Sequence, residues 1–160
     1  MATVLNRQLS NLERELVPAA EAMPEDLFSF APTHGEFKGV RDFAHQVKHV
    51  AASNYVFAST ILGEKPPAVA EGEDGPAAMK SKADILKFLK DSFEYSHKAF
   101  AIIGEKNATE LVPGPFGPNK VTRLGMATLE VAHGFDHYGQ MVEYLRMNGI
   151  IPPASRPRQQ

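Results

Sequence analysis

The sequence predicts an all-α protein, a four-helix bundle with long connectors. Four segments repeat apolar residues at helical spacing. The stretches between them concentrate glycine and proline and show no strand alternation. The length, 160 residues, matches one domain at roughly 150 residues per domain, so 1–160 reads as a single unit.

The first helix is expected from about Leu5 to Ala22, with Leu5, Leu9, Leu12 and Leu16 as its apolar stripe. Pro18 lies inside it and is expected to bend it or begin its end. The second runs from about Val40 to Leu62, with Phe43, Val47, Val50, Phe57 and Ile61 on its buried side. Gly63 follows as a C-cap. The third starts near Ser81, an N-cap with Asp84 three residues on, and Gly104 ends it. The fourth begins after Thr122 and reaches about Met147, where Asn148-Gly149 and Pro152-Pro153 stop it. The tail 154–160 is expected to be loose.

Connectors 63–79 and 104–121 are long for helix-to-helix links. They permit helices 2 and 3 to run parallel, and they are candidates for the walls of a site. Composition narrows the chemistry. With no cysteine there is no disulfide, thiolate zinc site, iron–sulfur cluster or cysteine nucleophile. A net charge of -2 argues against a nucleic-acid partner. No apolar run approaches the ~20 residues of a membrane span. The N-terminal MATVLNRQLSNLERE lacks the apolar region of a signal peptide, so the expected compartment is cytoplasmic.

Six histidines are the unusual resource. His133 and His137 are four apart on helix 4, on one face and about 5–6 Å apart at Cβ, so two imidazoles can share a metal. Helix 2 offers a second such pair, His45 and His49, of which His49 lies nearer the apolar stripe. A helix 2 histidine can complete a three-imidazole site of the open, catalytic kind, or can simply be a hydrogen-bonded core residue. His34 falls in the first connector without a clear partner, and His97 lies on helix 3. Glu94-x-x-His97 and Glu130-x-x-His133 suggest a di-iron bundle, but helix 2 has no glutamate in its body to complete one. Gly125, Gly134 and Gly139 interrupt helix 4, either for close helix approach or for space beside the histidines.

The run His133-Gly-Phe-Asp-His137-Tyr-Gly139-Gln140, followed by Leu145-Arg146 and Gly149, resembles the C-terminal signature of the DinB-like superfamily. The run from Phe43 through His49 is similar to the segment that holds the family's first histidine. The resemblance covers nearly the whole chain. It implies an up-down-down-up bundle, often a homodimer, with a divalent metal, commonly nickel or zinc, held by three histidines. Carried over, these are His49, His133 and His137, leaving His34, His45 and His97 outside the ligand set. Relatives include transferases that use bacillithiol, mycothiol or glutathione, and a thiol-dependent maleylpyruvate isomerase.

The expected function is therefore that of a metal-dependent enzyme acting on a small molecule, a thiol-dependent S-transferase or a hydrolase. With no protein cysteine, a low-molecular-weight thiol would have to be a cofactor. The alternatives are a non-catalytic metal-binding stress protein and a bundle whose histidines only pack. Glu130, three residues before His133, is a candidate to orient an imidazole or add a ligand, or is a solvated helix residue. Asp136 precedes His137 by one residue and points roughly 100° away.

Overall fold

A computed structural model describes residues 1–70 and 72–157. Its four helices are α1 (Ala2–Ala22), α2 (Phe43–Leu62), α3 (Lys82–Ala101) and α4 (Arg123–Met147). The caps expected at Ser81 and Gly63 form, and Asp42 and Thr122 add two more. Asp42, Ser81 and Thr122 each accept a backbone N–H of the first turn, from His45, Asp84 and Gly125. Gly63 ends α2 in the left-handed region at φ 75°, where a side chain would be strained.

The elements differ from the expectations in detail. Helices α1 and α2 start at Ala2 and Phe43 rather than near Leu5 and Val40. Helix α1 runs past Pro18 to the expected Ala22. The proline removes one ladder bond, but Leu16, Ala19, Ala20 and Met23 are fully buried and packing holds the last turn. Helix α3 stops at Ala101, three residues short of Gly104, whose N–H donates to the side chain of Asn107 at 2.8 Å. The connector 104–121 is not strandless. Leu111–Pro113 (β1) pairs antiparallel with Lys120–Thr122 (β2), Val112 opposite Val121. Three residues per strand are too few to show an alternating pattern.

Side-chain contacts fix the helix directions. Asn54 donates to Ser92 at 3.1 Å and Ser59 lies 3.2 Å from Tyr95, so α2 and α3 run parallel. Lys82 donates to the Met23 carbonyl at 2.7 Å while His97 meets Asn6 at 2.7 Å, so α1 is antiparallel to α3. Arg123 donates to the Ile61 carbonyl and Tyr144 to the Arg41 carbonyl, at 2.8 and 3.0 Å, so α4 is antiparallel to α2. The order is up-down-down-up, around one core that takes Leu9, Leu12, Phe43, Val47, Leu89, Phe93 and Met141 from all four helices.

Of the three helix 4 glycines, Gly134 serves close approach. A Cβ there would collide with the fully buried Leu12 side chain of α1. Gly125 sits under the Thr122 cap, and Gly139 has nothing within 4 Å of a built Cβ. Pro153–Ser155 form a short turn, and Arg146 donates to Ser155 at 3.2 Å. The remainder of the tail, 158–160, lies outside the described residues. Among the described residues no helix is long and apolar enough to cross a membrane.

Candidate metal centre

His49 of α2 and His133 and His137 of α4 meet at one point between the two helices. The Nε2 of His133 lies 3.1 Å from that of His49 and 3.2 Å from that of His137. Among the described residues these three form the group of side chains able to hold a metal ion. Three nitrogens on one tetrahedral ion, at the ordinary metal–nitrogen distance, would stand roughly 3.4 Å apart.

The far side of each ring shows which nitrogen carries the proton. The Nδ1 of His49 lies 2.8 Å from the main-chain carbonyl of Glu73. A carbonyl only accepts, so Nδ1 donates and Nε2 keeps its lone pair. The Nδ1 of His137 lies 2.6 Å from Gln46 Oε1. That amide is oriented by a chain. Gln46 Nε2 donates to Gln140 Oε1 at 2.8 Å, and Gln140 Nε2 donates to the Asp136 carboxylate at 3.1 Å. Asp136 can only accept, so every donor in the chain points toward it and His137 must donate through Nδ1. The Nδ1 of His133 is buried without a partner, and its ring stands edge-on to Phe57 at 5.4 Å between centroids.

Two lone pairs thus converge on the third Nε2. A single proton on His133 Nε2 would satisfy one of them and leave the other unmatched. A cation satisfies all three, so the donor set fits a divalent ion. Protonation does not compete near neutral pH. Burial, then the nearby His49, lowers His133 to about 4. Burial, then the rings of His133 and His49, lowers His137 to about 3. Both are neutral at pH 7, the state a metal requires.

The other histidines stand apart. His45 is exposed, and its Nδ1 meets Asp42 at 2.7 Å. His34 is exposed in the first connector. His97 ties α3 to α1 through Asn6 and through Glu13 at 3.0 Å. Glu94 is exposed, so the di-iron arrangement does not assemble. Glu130 is not solvated. It is completely buried, neither carboxyl oxygen has a well-aligned hydrogen-bond partner, and it is not among the converging groups. Burial pushes it up to about 8, with Ser96 offsetting only part of that.

Both connectors wall a cavity of about 870 Å³ that ends on His49 and His133. The first supplies Gly63–Pro66, Ala70 and Glu73, and the β-hairpin supplies 113–116. The 63–79 connector is pinned by Arg41, which donates to Glu73 at 2.5 Å and to Asp74 at 2.6 Å. Sequence reasoning missed Arg41, Gln46 and the Glu73 carbonyl. Gln46 carried one weak signal, its place three residues before His49 on a shared face. The Arg41 and Glu73 partnerships have no local signal, because they join segments more than 20 residues apart.

A family model described as the DinB superfamily matches residues 8–141. The crystal structure of a DinB-like protein from Bacillus subtilis superposes with a TM-score of 0.69. The two are 21% identical, over 97% of this chain and 99% of that one, a likeness of fold. No curated protein matches the sequence.

Proposed function

The chain belongs to the DinB superfamily, and from that premise we propose that it is a metal-dependent enzyme in which His49, His133 and His137 hold one divalent ion, nickel or zinc. One observation carries the reading. Three Nε2 atoms converge where an open cavity reaches His49 and His133, with space beside them for a reacting group. Such an ion, when bound, lowers the pKa of a water or thiol that joins it.

The chain's own residues do the rest. The Glu73 carbonyl and the Gln46–Gln140–Asp136 chain hold two imidazoles with their lone pairs inward. Phe57 shields His133 from water on one side. The connectors admit a small molecule from the other. The reaction we propose is thiol-dependent S-transfer to an electrophile, with a low-molecular-weight thiol as co-substrate. Hydrolysis is the second reading, favoured by the cavity wall, where Lys65 is the one lysine or arginine among the described residues. Bacillithiol, mycothiol and glutathione are polar, and the carboxylates of such a thiol would have little to pair with. The family resemblance also supports a homodimer, which light scattering on the purified protein tests.

The deciding experiment starts from protein purified without a His-tag and analysed for its metal. A cobalt- or nickel-substituted sample is then titrated with bacillithiol, mycothiol and glutathione. S-transfer predicts a new sulfur-to-metal charge-transfer band and thiol consumption with a broad electrophile panel. If no thiol perturbs the spectrum and none is consumed, hydrolysis takes first place. If metal binds but no panel turns over, the protein is a non-catalytic metal binder.

A further inference from the structure

The cavity's rim and interior differ in chemistry. Its charged lining residues, Glu64, Lys65 and Glu73, are all exposed and stand at the rim. The less exposed wall is made by Val56, Phe57 and Ala70, with the exposed Pro113 and Leu129 beside them. Phe116, on the turn of the β-hairpin, faces Phe57 edge-on at 6.2 Å and is 69% exposed. Leu129 is 45% exposed. Two large apolar side chains thus stand in water beside a mostly apolar cavity that also reaches the rings of His49 and His133. Exposed apolar surface grouped around a cavity marks a site for an apolar ligand.

The rim adds a constraint of charge. It carries Glu64, Lys65 and Glu73, and Arg41 pairs with Glu73, so among the described residues the rim has no excess of positive charge. A ligand with several carboxylates would find one lysine there to pair with, whereas a neutral body passes without desolvating a charge.

The geometry points to a substrate with an uncharged aliphatic or arylalkyl body and a single metal-seeking group at one end, the body lying along Phe57, Phe116 and Leu129 and the headgroup reaching His49 and His133. This names the substrate class for the proposed metal enzyme and rests on that reading for the headgroup, but not for the body. The same cavity would take the electrophile of an S-transfer or the acyl part of a hydrolysed substrate. Phe116 is the residue that sets chain-length preference, because it is the most exposed of the apolar wall.

Calorimetry on the full chain, metal-free and cobalt-loaded, tests this with straight-chain hydroxamic acids from acetyl to octanoyl. These probes are neutral, with one bidentate metal-binding head. On the cobalt form the Kd should tighten about fourfold per added methylene until the cavity is filled. The longer probes should bind the metal-free form more weakly but with the same dependence on length. Phe116→Ala should weaken the octanoyl probe about tenfold and leave the acetyl probe unchanged, and a succinyl analogue, whose one added carboxylate makes it an anion, should bind no better than acetyl. A Kd on the cobalt form that ignores chain length overturns the inference and leaves the metal reading standing. The same length dependence with no tighter binding on the cobalt form than on the metal-free form upholds the apolar body and counts against the metal reading.

Discussion

The Nδ1 of His49 meets the main-chain carbonyl of Glu73 at 2.8 Å, so a connector rather than a helix sets the tautomer of one of the three converging rings. Arg41 holds that connector through Glu73 and Asp74. Burial opposes the Arg41 charge, and these two carboxylates override it and raise its pKa. Arg41→Ala should free the carbonyl and weaken metal binding about 10–100-fold, the usual loss when the group behind a ligand is removed. Metal titration followed by competition with a chelator reads this. An unchanged affinity would show that the connector only covers the site.

Gln46 plays the same part for His137 from the opposite side. Gln46→Leu keeps the volume but removes the acceptor, leaving the buried Nδ1–H unpaired. Metal affinity should fall roughly tenfold or more. Asp136→Asn should act in the same direction more weakly, because an amide there can present a donor and let the chain reverse. Equal affinities for wild type and Gln46→Leu would sink the orientation argument.

Alanine at His49, His133 or His137 should each lower metal affinity by at least about 100-fold, beyond the loss from an outer partner. His34→Ala, His45→Ala and His97→Ala should retain full occupancy, since those rings lie elsewhere. Elemental analysis of untagged protein decides. Stoichiometric metal in the triple alanine variant would end the assignment.

Glu130 predicts a pH dependence of stability. Its folded pKa is about 8 against an ordinary 4.5, because burial favours the neutral form. Unfolded chain then binds fewer protons than folded chain between those values, so stability falls as pH rises from 4.5 to about 8. The slope is at most roughly 1.4 kcal/mol per pH unit. His133 and His137, lowered by burial, act oppositely and lose stability as pH falls below 6.5. Their part is common to wild type and Glu130→Gln and cancels between them. Urea unfolding of the two metal-free proteins should show wild type losing ground steadily from pH 5 to 8. Parallel profiles would refute the raised pKa.

The helix 4 glycines should respond with opposite signs. Gly134→Ala drives a methyl into buried Leu12 and should lose about 1–2 kcal/mol, overpacking exceeding the gain in helix propensity. Leu12→Ala in the same chain should recover part of that loss, a coupling visible in a double-mutant cycle. Gly139→Ala meets open space and should gain up to about 1 kcal/mol. Thermal unfolding of the four variants separates these outcomes.

The sequence by itself determined whatever depends on neighbours within a turn or two. Ser81 and Thr122 mark helix starts and Gly63 a helix end because caps are local hydrogen bonds or local backbone conformations. His133 and His137 share a face because helical pitch puts every fourth residue there. Tertiary structure decided the rest. The apolar stripe of helix 2 already favoured His49 over His45, but the meeting of His49 with the helix 4 pair, and of His45 with its cap aspartate, is set by how α2 docks against α4. The partners of the two inward Nδ1 atoms come from 24 and 91 residues away, and the burial of Glu130 follows from the same helix packing. Two three-residue strands close the second connector, too short to signal themselves before they pair. Contacts between distant segments depend on how the helices rotate and dock, and that is set by burying the whole core at once rather than by any stretch of chain alone.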